Sequence, residues 1–229
     1  MATTLLSSVI VASPTDVETR RANASNPEDW DLHWSRLKKS AFGRACSSYR
    51  RWLRSRCVAE YLDPLFSTSG VFVECGCGSG ESSVRLPRRS RHRIGVDFSD
   101  VALSLARSSG AYEELIRADI RELPFAESTL DGVWNLGVME HFTQIEQESV
   151  LSELRRVVKP GGVGVFWWPR AGSWDDRLQQ VLGRLFPPEP GRASESEITQ
   201  VAAAAGWIVE DLQLPLRDLH TEWVAVLRK

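Results

Sequence analysis

The chain has 229 residues, of which 42% are hydrophobic, 25% charged and 9% aromatic. That balance suits one α/β domain with an appendage and excludes disordered, collagen-like and disulfide-framework classes. The formal net charge of −2 conceals an asymmetry: residues 36–58 hold eight Lys/Arg and no acid, and residues 85–93 hold five Arg and no acid, so the remainder is strongly acidic. No apolar run approaches the ~20 residues of a membrane span. Residues 5–12 (LLSSVIVA) are apolar, but no Lys or Arg precedes them, which argues against a secretory signal. Cys46, Cys57, Cys75 and Cys77 are too few for a disulfide scaffold, so the expected location is the reducing cytoplasm.

Residues 1–27 have no firm period and read as a lead-in. Trp30, Trp34 and Leu37 then fall at helical spacing, with Asp29 or Asp31 available to the N-terminus. A second helix is expected over about 47–62, with Tyr49, Trp52, Leu53, Val58 and Leu62 as its apolar stripe and Pro64 closing it. After Gly70 strands and helices alternate. Strands are expected at 71–75, 92–98, 114–120, 130–136 and 163–169, and helices from about Glu81, near Ser99 and over 145–158. This alternation predicts parallel strands with helices on both faces. Residues 171–192 break the rhythm with an amphipathic piece (Trp174, Leu178, Val181, Leu182, Leu185) and read as an insertion. A helix over 194–206, capped by Ser194 or Ser196, precedes two closing strands expected to pair antiparallel.

Four features stand where open α/β sheets bind ligands, beyond the carboxyl ends of the strands. Glu74-Cys75-Gly76-Cys77-Gly78-Ser79-Gly80 ends the first strand, and its glycines allow a tight turn and close approach to a ligand. The helix after it would offer free N–H groups. The dinucleotide fingerprint needs a sixth-position glycine where this chain has Glu81, which disfavours a pyrophosphate turn. Asp97 ends the second strand, where a carboxylate suits a ribose diol. Asp119 and Ile120 end the third, suited to an exocyclic amine and a purine face. Asn135 to Phe142 follows the fourth and carries Glu140 and His141.

As an ordered set these motifs resemble the class I S-adenosylmethionine-dependent methyltransferases, in their small-molecule, methyltransferase-11-like branch. FVECGCGSG is similar to that family's first motif, GVDFSD to its second, and ADIRELPFAESTLDGVWNLGVMEHF to its third and fourth. LRRVVKPGGVGVFWWP resembles the run into strand five. The resemblance covers about residues 70–170. It implies a Rossmann-like, doubly wound seven-stranded sheet whose last strand is antiparallel, with an N-terminal helical lid. Residues 1–66 would form the extension and lid and 67–229 the methyltransferase domain, with 171–192 on the substrate side. S-adenosyl-L-methionine would be the cofactor and S-adenosyl-L-homocysteine the product. Carried over by position, Glu74, Gly76, Gly78 and Gly80 would surround its methionine part. Asp97 would hold the ribose hydroxyls, with Phe98, Asp119 and Ile120 at the adenine and the Asn135 backbone near the methionine amine. Glu74 stands where the family more often has Asp, and Cys75 replaces a usual aliphatic residue.

A sulfonium methyl is already activated, so the protein's work is to align a nucleophile and exclude water. His141 is the candidate base, because its ordinary pKa lies near 6.5. Trp30, Trp34, Glu140, Trp167 and Trp168 are candidates for the substrate side; the last two point to opposite faces of strand five. His33, His92 and His220 read as scattered, and the Cys75-x-Cys77 pair, without a second cluster, predicts no metal. The first basic segment overlaps the expected lid and could meet substrate, whereas the second reads as surface. The expected function is methylation of a small molecule, at oxygen before nitrogen, on a sugar or another anionic or phenolic metabolite. RNA or protein methylation and a silent cofactor-binding scaffold are alternatives. A basic stripe alone is thin support for nucleic acid. An NAD(P) oxidoreductase is disfavoured by Glu81 and by the lack of a Tyr-x-x-x-Lys pair. Oligomeric state is left open.

Overall fold

A computed structural model describes residues 26–175, 177, 191–216 and 221–229. The lead-in, His220 and the stretch holding Leu178, Val181, Leu182 and Leu185 lie outside the described residues. Helix α1 (Pro27–Lys39) starts with proline in its first turn and is capped by Asn26, whose side chain accepts from the Glu28 N–H. Neither Asp29 nor Asp31 caps it, as the sequence had allowed. Helix α2 (Ala41–Tyr49) follows from Ser40, whose hydroxyl accepts from Gly43 N.

The single helix expected over 47–62 is interrupted. Arg50–Arg54 form a wider π-type turn before α3 (Ser55–Leu65) resumes with Pro64 inside its last turn. The extra residue per turn rotates the stripe. Val58 and Leu62 are fully buried, whereas Tyr49, Trp52 and Leu53 are 45%, 61% and 41% exposed and Arg54 turns inward instead.

The sheet comprises β1 (Ser69–Cys75), β2 (Ser90–Asp97), β3 (Glu114–Arg117), β4 (Leu130–Asn135), β5 (Val158–Pro169), β6 (Ile208–Gln213) and β7 (Glu222–Arg228). Their order is β3-β2-β1-β4-β5-β7-β6. The first five are parallel, and β7 runs antiparallel to both β5 and β6. The doubly wound, seven-stranded sheet with its last strand reversed is thus as the sequence indicates. Strand β3 is shorter than expected, and Ala118–Ile120 leave the sheet as loop. Only a three-residue 3₁₀ turn, Glu81–Ser83, follows the glycine turn, so no helix N-terminus stands there.

Helices α4 (Asp100–Ser109), α5 (Gln144–Val157) and α6 (Glu195–Ala204) complete the layers. Both α5 and α6 begin with reciprocal capping boxes, Thr143/Glu146 and Ser194/Glu197. On one face Leu151, Leu154, Ile198, Val201 and Trp207 pack with Phe166 and Trp168. On the other, Val58, Leu62, Phe66 and Phe72 pack with Trp134 and Trp167. The two tryptophans of β5 therefore do point to opposite faces, one into each core. At the end of β5, Arg170 bridges Ala193, so the chain leaves and rejoins at one place around 171–192.

The second basic segment is not simply surface. The Arg91 side chain is fully buried and donates to the Asp63 carboxylate and to the carbonyls of Asp63, Phe66 and Ser67, which close the end of α3. Arg89 grips the same carboxylate with two hydrogen bonds, and these partners hold the Asp63 pKa down to about 2. Arg93 is buried against Glu113 and the Leu86 carbonyl. Removing one member of a buried pair leaves several orphans. Arg91→Met should therefore cost about 3–5 kcal/mol, roughly 10 °C in Tm. Arg88→Met, at a side chain 67% exposed, should stay within ~0.5 kcal/mol. Equal melting curves for the two variants would contradict this account.

Candidate active site

Strand β1 ends in a turn that only glycine allows at two points. Gly76 (φ +76°) and Cys77 both donate their N–H groups to the Val96 carbonyl, folding the turn over β2. A Cβ on Gly76 would lie 2.6 Å from Val138, and one on Gly78 (φ +52°) 2.6 Å from the Trp34 ring. The turn is thus clasped between the loop after β4 and the N-terminal helix.

Beneath the turn Glu74 is 2% exposed, and its Oε2 accepts from the Ser83 and Tyr112 hydroxyls, the latter at 2.6 Å. Burial, opposed by these bonds, raises its pKa to about 7. Asp97 ends β2 with both oxygens engaged. Oδ2 accepts from Gly78 N at 2.8 Å and Oδ1 from Ser99 N at 2.9 Å. Burial nonetheless raises its pKa. Asp119 is gripped by the Arg121 guanidinium and by the Arg121 N–H at 2.9 Å.

After β4, Met139–His141 form a 3₁₀ turn. The His141 ring stands edge-on to Trp30 at 4.9 Å. Burial, with the nearby His33, lowers its pKa to about 4, opposed by a hydrogen bond to the Gly137 carbonyl. Trp30 also meets His33 at 5.4 Å, and His33 meets Trp34 at 5.6 Å. His33 is thus not scattered but part of the aromatic wall that α1 sets over the turn. His92 stands apart, 3.4 Å from Glu114 on the exposed edge of the sheet.

These groups enclose a cleft of about 750 Å³ at the carboxyl ends of β1, β2 and β4. Glu74, Gly76, Gly78, Gly80, Asp97, Phe98, Asp119, Ile120, Trp30, Trp34, Glu140 and His141 all line it. Three expected residues do not. Asn135 is fully buried, and Leu136 and Gly137 form that part of the wall. Trp167 and Trp168 are fully buried in the two cores, and Pro169 alone of that strand reaches the cleft. Sequence reasoning missed Arg50, Arg54 and Glu222 as individual lining residues. Arg54 is ion-paired to Glu222, and Arg50 stands 5.4 Å over Trp34 and 3.6 Å from Glu81. The arginines lie in the basic segment that marks the first patch, but Glu222, like Tyr112 under the turn, carries no signal in the sequence.

The chain matches the methyltransferase domain family over residues 73–166. Among curated relatives it is 31% identical over 153 residues to a malonyl-[acyl-carrier protein] O-methyltransferase of Erwinia pyrifoliae, covering 65% of this chain and 58% of that one. It is 30% identical over 142 residues to a probable S-adenosylmethionine-dependent methyltransferase of Mycolicibacterium smegmatis, covering 61% and 52%. The chain therefore spans between half and three-fifths of the length of these relatives. Among solved structures it resembles magnesium protoporphyrin IX methyltransferase from Synechocystis with bound S-adenosylhomocysteine, with a TM-score of 0.65 and 17% identity over 93% of this chain and 98% of that one. It also resembles a methyltransferase from Thermotoga maritima described as a possible histamine N-methyltransferase, with a TM-score of 0.66 and 17% identity over 86% and 99%. Residues 73–166 are thus similar to a methyltransferase domain, and the sheet around them has the Rossmann-like fold of these solved methyltransferase structures.

Glu74 and His141 act oppositely on stability. Folded Glu74 keeps a proton that the unfolded chain releases above its ordinary value of 4.5, so its contribution falls as pH rises toward about 7. Folded His141 refuses a proton that the unfolded chain takes up below 6.5, so its contribution falls as pH drops toward about 4. Each slope is about 1.4 kcal/mol per pH unit, and they cancel where the windows overlap. Denaturant unfolding at several pH values should show Glu74→Gln gaining about 3 kcal/mol on the parent chain between pH ~4.5 and ~7. His141→Gln should lose a similar amount on the parent between pH ~4 and ~6.5. Parallel pH curves for parent and variants would show that neither group titrates this way.

Proposed function

We propose that the protein transfers a methyl group from S-adenosylmethionine to an oxygen of a small anionic or phenolic acceptor. The observation that carries this reading is Asp97. It is a buried carboxylate facing a glycine-lined cleft, with its oxygens fixed by two backbone N–H groups. The residues present fit an adenosyl cofactor. The cleft lies within the ~300–1,000 Å³ usual for small-molecule sites, and the turn brings bare backbone to its floor. In this reading Asp97 holds the ribose hydroxyls, Phe98 and Ile120 flank the adenine, and the Gly76–Gly80 turn meets the methionine part. The bond between Asp119 and Arg121 leaves the aspartate fewer free lone pairs for an adenine amine, so shape does more of the reading there. When bound, the cofactor supplies an activated methyl group.

The acceptor side would be the end walled by Tyr49, Arg50, Arg54, Glu222 and His141. His141 is neutral at pH 7, the form in which an imidazole can accept a proton. A base with a pKa near 4 is weak: it would take a phenol's proton only as the methyl group moves, and a carboxylate acceptor would need no base. Four relatives named as malonyl-[acyl-carrier protein] O-methyltransferases are in keeping with oxygen as the target. Nucleic acid is less supported, because Arg54, Arg91 and Arg93 of the basic segments are buried in internal pairs.

S-adenosylhomocysteine at ~100 times its Kd should stabilise the protein by about 2.7 kcal/mol, roughly 5–10 °C, and NADH should not. A shift with NADH alone would refute the reading. With an acceptor in hand, His141→Gln should lower kcat/KM by roughly 10² and keep cofactor binding. In the parent chain kcat/KM should fall only as pH drops through about 4. A break near 6.5 would mean that the ring is not held in this environment during turnover.

A further inference from the structure

Helix α1 touches the cofactor end of the cleft at two points, one on each side of Asp97. Asp97 Oδ2 is fixed by Gly78 N, and the Trp34 ring lies directly against Gly78. Asp97 Oδ1 is fixed by Ser99 N, and the hydroxyl of the same Ser99 donates to Asp31 Oδ1 at 2.5 Å. Asp31 Oδ1 also accepts from Val101 N at 3.1 Å, while Ser99 Oγ accepts from Ala102 N at 3.1 Å. Asp31 and Trp34 are three apart on one helix and so share a face. The Asp31 carboxylate moreover sits at the N-terminus of α4, where negative charge is favoured. The result is one connected path from helix α1 through Ser99 and Gly78 to both oxygens of Asp97.

We propose that Asp31 is a positioning residue for the cofactor: it latches α1 over the cleft through Ser99, the residue that also orients Asp97. The proposal rests on the assignment of Asp97 to the cofactor ribose. A latch of this kind acts on escape more than on entry. With α1 held down, the Trp30–His33–Trp34 wall stays over the bound cofactor. With the latch cut, Ser99 keeps its N–H bond to Asp97 but loses its hold on α1. Helix α4 needs no second cap for its own sake, because Ser99 already serves as its N-cap. Asp31 therefore joins two elements rather than finishing one.

The test is stopped-flow dissociation of S-adenosylhomocysteine from the full chain, followed by tryptophan fluorescence, with equilibrium Kd and the melting temperature of the ligand-free protein measured alongside. Asp31→Ala removes two hydrogen bonds and should raise the dissociation rate roughly ten- to thirtyfold, with the association rate within about twofold of the parent. Asp31→Asn keeps an acceptor oxygen for Ser99 and Val101 and should recover most of the loss. Ser99→Ala removes one of the two bonds and leaves Val101 N on Asp31, so its rate should rise less than that of Asp31→Ala, and the double variant should match Asp31→Ala alone. An unchanged dissociation rate in Asp31→Ala, or a fall in melting temperature with no change in that rate, would overturn the latch. Failure of the parent chain to bind S-adenosylhomocysteine would overturn the assignment of Asp97 and the latch with it. Parental binding that is abolished by Asp97→Ala but untouched by Asp31→Ala would leave the assignment standing and remove the latch alone.

Discussion

The arrangement of the cleft depends on how one carboxylate is held. Asp97 stands at the end of β2 with an N–H group from the glycine turn on one oxygen and an N–H group from the start of α4 on the other. A buried carboxylate without donors would be costly, so the turn and the helix start must be where they are for the aspartate to be tolerated. The converse holds as well. The turn can approach Asp97 only because Gly76 and Gly78 adopt left-handed backbone and leave no Cβ in the way of Val138 and Trp34. The parallel order β2-β1-β4 brings the ends of these three strands side by side, which makes one cleft from three separate loops.

Around that centre the charges are largely spent inside the protein. Glu74 is buried with Ser83 and Tyr112, Asp119 is tied to Arg121, and Arg54 is paired to Glu222 at the wall of the cleft. The exposed apolar residues Tyr49, Trp52 and Leu53 and the inward Arg54 are two consequences of one π-type turn. That turn sacrifices a helical stripe and places a guanidinium at the cleft. Irregular helix of this kind commonly marks a functional position. Burial meanwhile favours the neutral form of both Glu74 and His141, raising the pKa of the first and lowering that of the second.

Most of the sheet was legible because its signals are local. Strand β1 running into glycines and Asp97 closing β2 each announce themselves within a few residues, whereas β5, expected from 163, starts at Val158 and takes Lys159, Pro160 and Gly161 into the strand. The alternation of β and α then leaves few topologies open. What was not legible depends on tertiary partners. Arg91 and Arg93 look like surface in the sequence, and only the carbonyls at the end of α3 and the Glu113 carboxylate explain their burial. Trp167 and Trp168 alternate as strand residues must, but whether either reaches the cleft depends on the helices packed over both faces. Asp31 looked like a cap for its own helix and instead serves a helix some seventy residues away. His33 gave no hint of a site until the fold set it beside Trp30.

The central claim is that Asp97 and the turn it fixes bind the adenosyl cofactor. Calorimetric titration of the parent chain and of Asp97→Ala with S-adenosylhomocysteine tests it most directly. The account predicts one-to-one binding to the parent and a loss of at least thirtyfold in the variant, because charge-assisted hydrogen bonds to a buried carboxylate disappear. Equal affinity of the two chains, with the variant folded, would contradict it.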